Sequence, residues 1–142
     1  MVELGDAVIR PFVRGQVREI GPNKVISFGV SSYGYDIRLD PEVRYIPAYS
    51  YSEVLDPKSA SVDLYNIWYC DDHIKTFTFG AYQTVLVQSI ETISVPDDCL
   101  VRVELKSTYA RSHVIMAPVV LEPGWVGKPT FSLYNASPLE VS

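Results

Sequence analysis

Proline and glycine divide this chain into short pieces. Ten Pro and eight Gly are spread over 142 residues, and the segments between them do not sustain a 3.6-residue apolar period. Tyrosine dominates the aromatic residues, with ten Tyr against five Phe and two Trp, and aromatic side chains favour strands. The sequence therefore predicts an all-β domain with little helix. Strands are predicted over residues 25–30, 35–39, 43–46, 74–79, 82–88, 100–105, 113–121 and 130–134, and helical turns only in the first fifteen residues and around 107–111.

Two segments alternate apolar and polar residues with the period of a strand. The segment LVRVEL, residues 100–105, places its apolar side chains on one face. The segment TFSLYN pairs an apolar face with a small polar face made of Thr130, Ser132 and Tyr134. Many short strands closed by turns are typical of a sandwich, a jelly roll or a distorted barrel.

Length and charge limit the organisation and the partners. A chain of 142 residues fits one domain, which we expect to cover residues 1–142. Twelve Lys and Arg against 17 Asp and Glu give a net charge of -5, the wrong sign for a protein that coats a phosphate backbone. We therefore expect no nucleic-acid partner. A local cationic cluster can still hold a small anionic ligand.

Cysteine and histidine are sparse. Cys70 and Cys99 are isolated, so the sequence predicts neither a disulfide framework nor a metal knuckle and favours a reducing, cytoplasmic setting. With His73 and His113 as the two histidines, the ligand set of the zinc-dependent nucleobase deaminases is missing, and we expect no zinc. Phosphate-loop, dinucleotide-binding and nucleophile-elbow motifs are also missing. No apolar run is long enough for a membrane anchor, so we expect no membrane partner.

A cluster of cationic and hydroxyl side chains follows the LVRVEL strand. It consists of Lys106, Ser107, Thr108 and Arg111. Arginine can donate two parallel hydrogen bonds to a phosphate, lysine adds a positive charge, and hydroxyls add neutral donors. The cluster is therefore a candidate polyphosphate site. Basic, hydroxyl-rich turns are also common on surfaces, and on these residues alone a solvated turn explains the cluster equally well.

The Pro-Gly turn in LEPGWVGK carries a carboxylate and a large aromatic side chain. Glu122, which precedes the turn, can act as a general base that activates water. Trp125 can wall a base pocket or cap the core, and core packing is the commoner role beside a turn.

The segment SSYGYDIRL places Asp36 in an otherwise apolar strand. This carboxylate can bind a backbone donor, fix a cation such as Arg38, or hold a metal-bound water. A structural role is the commoner of these, so Asp36 alone does not define a site.

Three segments, taken in order, carry a resemblance to a known family. They are SSYGYDIRL, the run from Val87 through SIETISVPDDCLVRVELKSTYAR, and EPGWVGKPTFSLYN. Together they resemble the dCTP deaminase family, which is related to the trimeric dUTPases, over a span from about Arg10 to Pro138. The resemblance implies a distorted β-barrel or jelly-roll protomer of the dUTPase type. It also implies a homotrimer with active sites at the subunit interfaces, and a dCTP- or dUTP-type nucleotide with Mg²⁺ on its phosphates.

The resemblance assigns roles to the candidate residues. It implies that the phosphates are bound by Lys106, Ser107, Thr108 and Arg111. It makes Glu122 the candidate water-orienting base, near the deoxyribose, and links Asp36 to the metal region through water. Trp125 falls on the aromatic turn position of the family.

The sequence departs from the family pattern at Ser132. Family deaminases carry a Glu at this strand position, ten residues after the acidic turn position, as the base that activates water for attack on cytosine C4. A serine hydroxyl has no comparable basicity, and a positioned acid–base group contributes about 10²–10⁴ in rate. A second departure is Leu105, which stands where relatives carry Gly before the phosphate motif. The bulk of the leucine side chain can crowd the approach of a ligand to the backbone.

Three functional hypotheses follow. Hydrolysis of dUTP to dUMP and pyrophosphate, with Glu122 orienting water, is chemically favoured because it requires no Glu at position 132. Deamination of dCTP to dUTP has the better overall resemblance, and a non-catalytic nucleotide-binding trimer would explain both departures. Relatives continue past the equivalent of Asn135 with a further hairpin and a tail over the nucleotide, which we expect this chain to lack.

Overall fold

The computed structural model describes residues 8–45, 58, 66–69 and 76–142. The elements there are β1 (Ile9–Arg10), β2 (Val17–Ile20), β3 (Asn23–Val30), β4 (Tyr35–Asp36), β5 (Leu39–Tyr45), β6 (Asn66–Tyr69), β7 (Thr84–Ser89), β8 (Thr92–Ser94), β9 (Val101–Val103), α1 (Ser107–Arg111), β10 (Val114–Met116), β11 (Val119–Leu121), β12 (Val126–Gly127) and β13 (Thr130–Asn135). None of the helices in these residues is long and apolar enough to cross a membrane. The predicted all-β class with little helix is confirmed.

The described strands form four sheets. Their orders are β1–β8–β12, β2–β3–β4, β9–β11 and β10–β13–β7–β5–β6. The chain divides into two compact units, one of residues 1–40, 88–103 and 120–129, and the other of residues 41–87, 104–119 and 130–142. The three smaller sheets lie mainly in the first unit and the five-stranded sheet lies mainly in the second.

Several predicted strands are present with altered ends. Residues 25–30 lie in β3, 43–45 in β5, 84–88 in β7 and 130–134 in β13. The strand predicted over 35–39 is divided between β4 and β5, and the one over 100–105 shortens to β9.

Two predicted strands differ from the structure, and a predicted helical turn lies partly outside the described residues. The strand predicted over 113–121 is two strands, β10 and β11, because Pro118 lies between them and has no backbone N–H to donate. Of the strand predicted over 74–79, residues 74–75 lie outside the described residues, and Phe79 makes a single bridge to Val141. Of the helical turn predicted in the first fifteen residues, residues 1–7 lie outside the described part, residue 8 is helical, and β1 begins at Ile9.

The core of the second unit is built by alternation along neighbouring strands. On β13, Phe131 and Leu133 are buried while the residues between them are exposed. On β7, Val85 and Val87 are buried in the same alternating way. Burying each such side chain contributes about 1.5–3 kcal/mol, so β7 and β13 are held by their inner faces and leave their outer faces more open to solvent.

A fully buried amide fastens the chain beyond β13. Asn135 Nδ2 donates to the carbonyl oxygens of Gly80 at 2.9 Å and Leu139 at 2.7 Å. Asn135 Oδ1 accepts from the Ser137 backbone N–H at 3.0 Å and from its hydroxyl at 2.8 Å. Because its donors and acceptor are all used, this buried polar group holds the segment 136–139 without a desolvation penalty.

In the first unit, the segment before β2 lies against β3. The Val13 N–H donates to the Tyr35 hydroxyl at 3.0 Å, and the Val30 N–H donates to the Val13 carbonyl at 3.2 Å. Burial raises the pKa of Tyr35. Gly29 has a φ of 92°, and a Cβ there would collide with the Gly15 carbonyl oxygen. Only glycine therefore allows this close approach.

Candidate functional site

The helix α1 presents the predicted phosphate-binding residues. Ser107, Thr108 and Arg111 are exposed on this helix. Lys106, which immediately precedes it, is half-buried and has an extended backbone conformation. Tyr109 is also half-buried, and its burial raises the pKa of the phenol. One aromatic side chain thus anchors the helix while two hydroxyls and a guanidinium face solvent.

The end of α1 is closed by hydrogen bonds. The Ser112 hydroxyl donates to the Thr108 carbonyl at 3.1 Å, and the His113 N–H donates to the Ala110 carbonyl at 3.2 Å. His113 adopts a left-handed φ of 63°, and its carbonyl accepts from the Ala136 N–H at 2.9 Å. The exit of α1 is therefore attached to the chain just after β13.

The strand β10 connects α1 to the strand that carries Ser132. It contacts α1 and pairs antiparallel with β13, with Ile115 opposite Tyr134. Along β13, Thr130, Ser132 and Tyr134 lie on the exposed face, as the alternation predicts. The phosphate-binding candidates and Ser132 therefore belong to one compact unit.

Glu122 stands at the first position of a tight turn. The Trp125 N–H donates to the Glu122 carbonyl at 3.1 Å, Pro123 occupies the second position, and Gly124 has a φ of 79° at the third. This is the pattern of a type II turn. Two further hydrogen bonds, from the Gly124 N–H to the Val95 carbonyl at 3.1 Å and from the Val95 N–H to the Trp125 carbonyl at 2.8 Å, fix the turn. The Glu122 side chain is exposed and makes no ion pair with the described residues.

Trp125 packs against Gly127 of β12, the strand that follows it. Its side chain is half-buried, and a Cβ on Gly127 would lie 3.2 Å from two carbons of the indole ring. The glycine therefore makes room for the ring, which supports the packing role for Trp125.

Asp36 is held by neighbouring polar side chains. Its Oδ2 accepts from Gln16 Nε2 at 3.2 Å and from the Ser27 hydroxyl at 3.4 Å, and the residue is half-buried on β4. These bonds tie β4 to β3 and to the segment before β2. The described residues contain no group of three or more His, Cys, Asp or Glu side chains that could hold a metal ion.

The sequence interpretation missed the partner of Arg38. Its Nε donates to Glu91 Oε1 at 2.8 Å and its backbone N–H donates to Oε2 at 2.9 Å, so Glu91 and not Asp36 fixes this cation. Glu91 is fully buried, and the guanidinium carbon lies 5.0 Å from the centre of the Phe28 ring. The signal in the sequence is the single carboxylate in the otherwise uncharged run SIETIS.

The candidate residues fall into two groups. Lys106, Ser107, Thr108, Arg111 and Ser132 belong to the second unit, joined through β10. Glu122 and Asp36 belong to the first unit. The second unit offers cationic and hydroxyl side chains that can bind an anion. The carboxylate of Glu122, which has no ion-pair partner among the described residues, belongs to the first unit.

Comparison with known proteins gives consistent matches. A sequence model described as dCTP deaminase-like matches residues 1–142. A dCTP deaminase of Rickettsia canadensis (strain McKiel) is 38% identical over 136 residues, which cover 96% of this chain and 70% of the relative. A dCTP deaminase of Rickettsia felis (strain ATCC VR-1525 / URRWXCal2) is 37% identical over 136 residues, again with 96% and 70% coverage. One of Rickettsia typhi (strain ATCC VR-144 / Wilmington) is 38% identical over 133 residues, or 94% of this chain and 68% of the relative.

Proposed function

This chain belongs to the dCTP deaminase family, and from that membership we propose that it binds dCTP and converts it slowly to dUTP. The observation that carries the proposal is the joining of α1, with its exposed cationic and hydroxyl side chains, to β13 through β10. The triphosphate would be bound by the side chains of α1, and the base would lie near the exposed face of β13.

The phosphates would be bound by the residues on and before α1. Arg111 can donate a bidentate pair of hydrogen bonds, Ser107 and Thr108 can donate through their hydroxyls, and Lys106 adds a positive charge. In a chain of net charge -5, these groups give α1 a local positive charge that would attract an anion.

Mg²⁺ fits this proposal as a metal carried on the nucleotide. Magnesium bound to a nucleotide uses phosphate oxygens and waters, with one or two protein carboxylates at most. That requirement agrees with the finding that the described residues hold no cluster of three ligating side chains. When bound, Mg²⁺ would neutralise phosphate charge; a water link from Asp36 to the metal region is what the family resemblance implies.

The reaction would proceed by addition of water to the base. A water oxygen bonds to cytosine C4 and the bond from C4 to the amino nitrogen breaks. One water proton leaves with the amino group as ammonia and the other goes to ring N3, which gives the uracil base. Ser132 offers an exposed hydroxyl on β13 where the resemblance expects a carboxylate base. Loss of a positioned base lowers a rate by about 10²–10⁴, so we expect slow deamination.

A second candidate function is hydrolysis of dUTP. The observation that favours it is Glu122, whose exposed carboxylate is unpaired among the described residues and sits on a fixed type II turn. Such a carboxylate can orient water toward the α-phosphorus. The new P–O bond forms as the bond to the bridging oxygen breaks, and the products are dUMP and pyrophosphate.

Product analysis separates these functions. The purified protein is incubated with Mg²⁺ and either dCTP or dUTP, and the nucleotides are resolved by chromatography. Formation of dUTP from dCTP supports the first proposal, whereas dUMP and pyrophosphate from dUTP support the second. If neither nucleotide is consumed but both raise the melting temperature, the chain is a nucleotide-binding protein without turnover, and the proposed reaction is wrong.

The decisive variant is Ser132→Glu. We expect it to raise the rate of dCTP deamination by about 10²–10⁴, because it supplies the missing base. Ser132→Gln is the matched control, since it has the shape of Glu without the basicity, and it should give no gain. A Ser132→Glu protein that binds dCTP but deaminates it no faster than the original would contradict the assignment of position 132.

A further inference from the structure

The exposed face of β13 carries an aromatic side chain beside Ser132, and we propose that the pyrimidine ring of the nucleotide stacks on it. That side chain is Tyr134, supported by Ile115 on β10. The inference rests on the proposed function, because it names the part of the site that would recognise the base. It adds a binding residue that neither the family motifs nor the sequence interpretation assigned.

Tyr134 is placed where a planar ligand can reach it. It is 37% exposed, and Ile115, directly opposite on β10, is 55% exposed. Its ring stacks on no other ring of the described residues, and its hydroxyl has no hydrogen-bond partner among them. An aromatic face left open beside a second apolar side chain is a stacking surface.

The neighbouring strand completes this surface. The Asn135 N–H donates to the Gln83 carbonyl and the Ser89 N–H donates to the Pro129 carbonyl, which fixes an antiparallel register between β13 and β7. That register puts Leu86, which is half-buried, opposite Ser132. Ser132 and Tyr134 are two residues apart on one strand, so their Cα atoms are separated by roughly 7 Å. The Ser132 hydroxyl therefore shares one face of the sheet with an apolar side chain on β7 and with the ring of Tyr134.

The charge on α1 identifies the occupant of this surface. Arg111 ends α1 and is four residues before Ile115, so their Cα atoms lie within roughly 14 Å. One nucleoside triphosphate covers such a separation. A ligand whose anionic end is attracted to α1 and whose other end is a flat, weakly polar ring matches both features, and a pyrimidine nucleotide is that ligand.

The test compares dCTP with inorganic triphosphate, which has the anionic end without the base. Stacking of a base on an aromatic side chain changes the affinity by about 5- to 150-fold. We expect Tyr134→Ala to raise the Kd of dCTP by about fivefold or more and to leave the Kd of inorganic triphosphate unchanged. Tyr134→Phe, which retains the ring, should bind dCTP like the original protein.

Tyr69→Ala is the matched control. Tyr69 is an exposed tyrosine on β6, at the opposite edge of the same five-stranded sheet, and its replacement should alter neither Kd. If Tyr134→Ala does not fold, Tyr134→Leu keeps apolar bulk without the ring and should show the same selective loss of dCTP.

The outcomes separate this inference from the proposed function. An original protein that binds no dCTP would overturn both. An original protein that binds dCTP, with unchanged affinity in Tyr134→Ala, would overturn the stacking role alone. Equal weakening of dCTP and inorganic triphosphate binding in Tyr134→Ala would also overturn the stacking role. So would a Tyr134→Ala protein whose oligomer mass changes while its dCTP affinity does not, because the surface would then bind a second copy of the chain.

Discussion

His113 keeps a left-handed backbone conformation that costs a side chain with a Cβ about 1–2 kcal/mol. Glycine avoids that cost but loses more entropy on folding, by roughly 0.5–1 kcal/mol. We therefore expect His113→Gly to raise the free energy of unfolding by about 0.5–1 kcal/mol, measured by urea denaturation. His113→Ala removes the imidazole and retains the strain, so it should give no such gain. A less stable His113→Gly protein would show that the imidazole itself contributes to stability.

Arg38 neutralises a carboxylate that is fully removed from water. Replacing it by methionine would leave Glu91 buried without its cation, and breaking a buried pair from one side costs about 3–5 kcal/mol. Because the Arg38 side chain is 29% exposed, we expect Arg38→Met to lower the free energy of unfolding by about 2–4 kcal/mol.

The control for this change is a solvent-exposed pair. Lys128 and Asp40 lie 3.3 Å apart with both side chains partly exposed, and Lys128→Met should cost at most about 1 kcal/mol. Adding Glu91→Leu to Arg38→Met should restore much of the lost stability, because the uncompensated charge is then removed. Equal losses of unfolding free energy in Arg38→Met and Lys128→Met would contradict the claim that burial makes the Arg38–Glu91 pair the more important one.

Among the elements, β3 depends on a glycine where another backbone segment crosses it. At Gly29 the positive φ and the Gly15 carbonyl both exclude a Cβ, so we expect Gly29→Ala to destabilise the protein by about 2–3 kcal/mol in urea denaturation. Gly34 lies in the turn after β3, and a Cβ there would meet only the Ser31 hydroxyl at 3.9 Å. Gly34→Ala should therefore change stability by no more than about 0.5 kcal/mol, and a larger loss there than at Gly29 would contradict the packing described.

The sequence predicts long strands better than short ones for a physical reason. The alternation in TFSLYN extends over six residues and identifies both faces of β13. By contrast, β8 has three residues and β12 has two, which are too few to show a period of two. The pairing of β8 with β12 on one side and with β1 on the other is defined by long-range hydrogen bonds, which leave no local pattern in the sequence.

For the candidate site as for the fold, the sequence predicts the local motifs but not the long-range contacts. The cluster KSTYAR and the turn after Glu122 are local motifs, and the structure forms α1 and a type II turn from them. The partner of Arg38 lies 53 residues away, so spacing along the chain gave no means of choosing Glu91 over the nearby Asp36. Tyr134 was recognised as a member of the polar face, but its place opposite Ile115 depends on the pairing of β10 with β13.

For the assembled protein, we expect a homotrimer with each nucleotide site shared between subunits. Light scattering should give about three times the 15.9 kDa mass of one chain. A shared site also predicts complementation between variants whose altered residues would be supplied by different subunits. Arg111→Ala and Glu122→Gln proteins, each weakened in dUTP hydrolysis, should recover part of that activity after they are unfolded together and refolded as a mixture.

The control for complementation is a mixture of two variants altered within one unit. Arg111→Ala and Ser107→Ala both affect α1, so their mixture should recover nothing. A monomeric mass, or equal recovery in both mixtures, would rule out the shared site.

The amide network around Asn135 has a consequence for hydrogen exchange. The segment after β13 has exposed side chains such as Leu139, yet its backbone is bound: the Ser137 N–H donates to Asn135 and the Leu139 N–H donates to the Ser137 hydroxyl. The Val141 N–H donates to the Phe79 carbonyl at 3.1 Å. The amides of Ala136, Ser137, Leu139 and Val141 should therefore exchange with deuterium slowly, whereas that of Glu140 should exchange fast and Pro138 has no amide hydrogen. Such protection distinguishes a tethered surface segment from a frayed one.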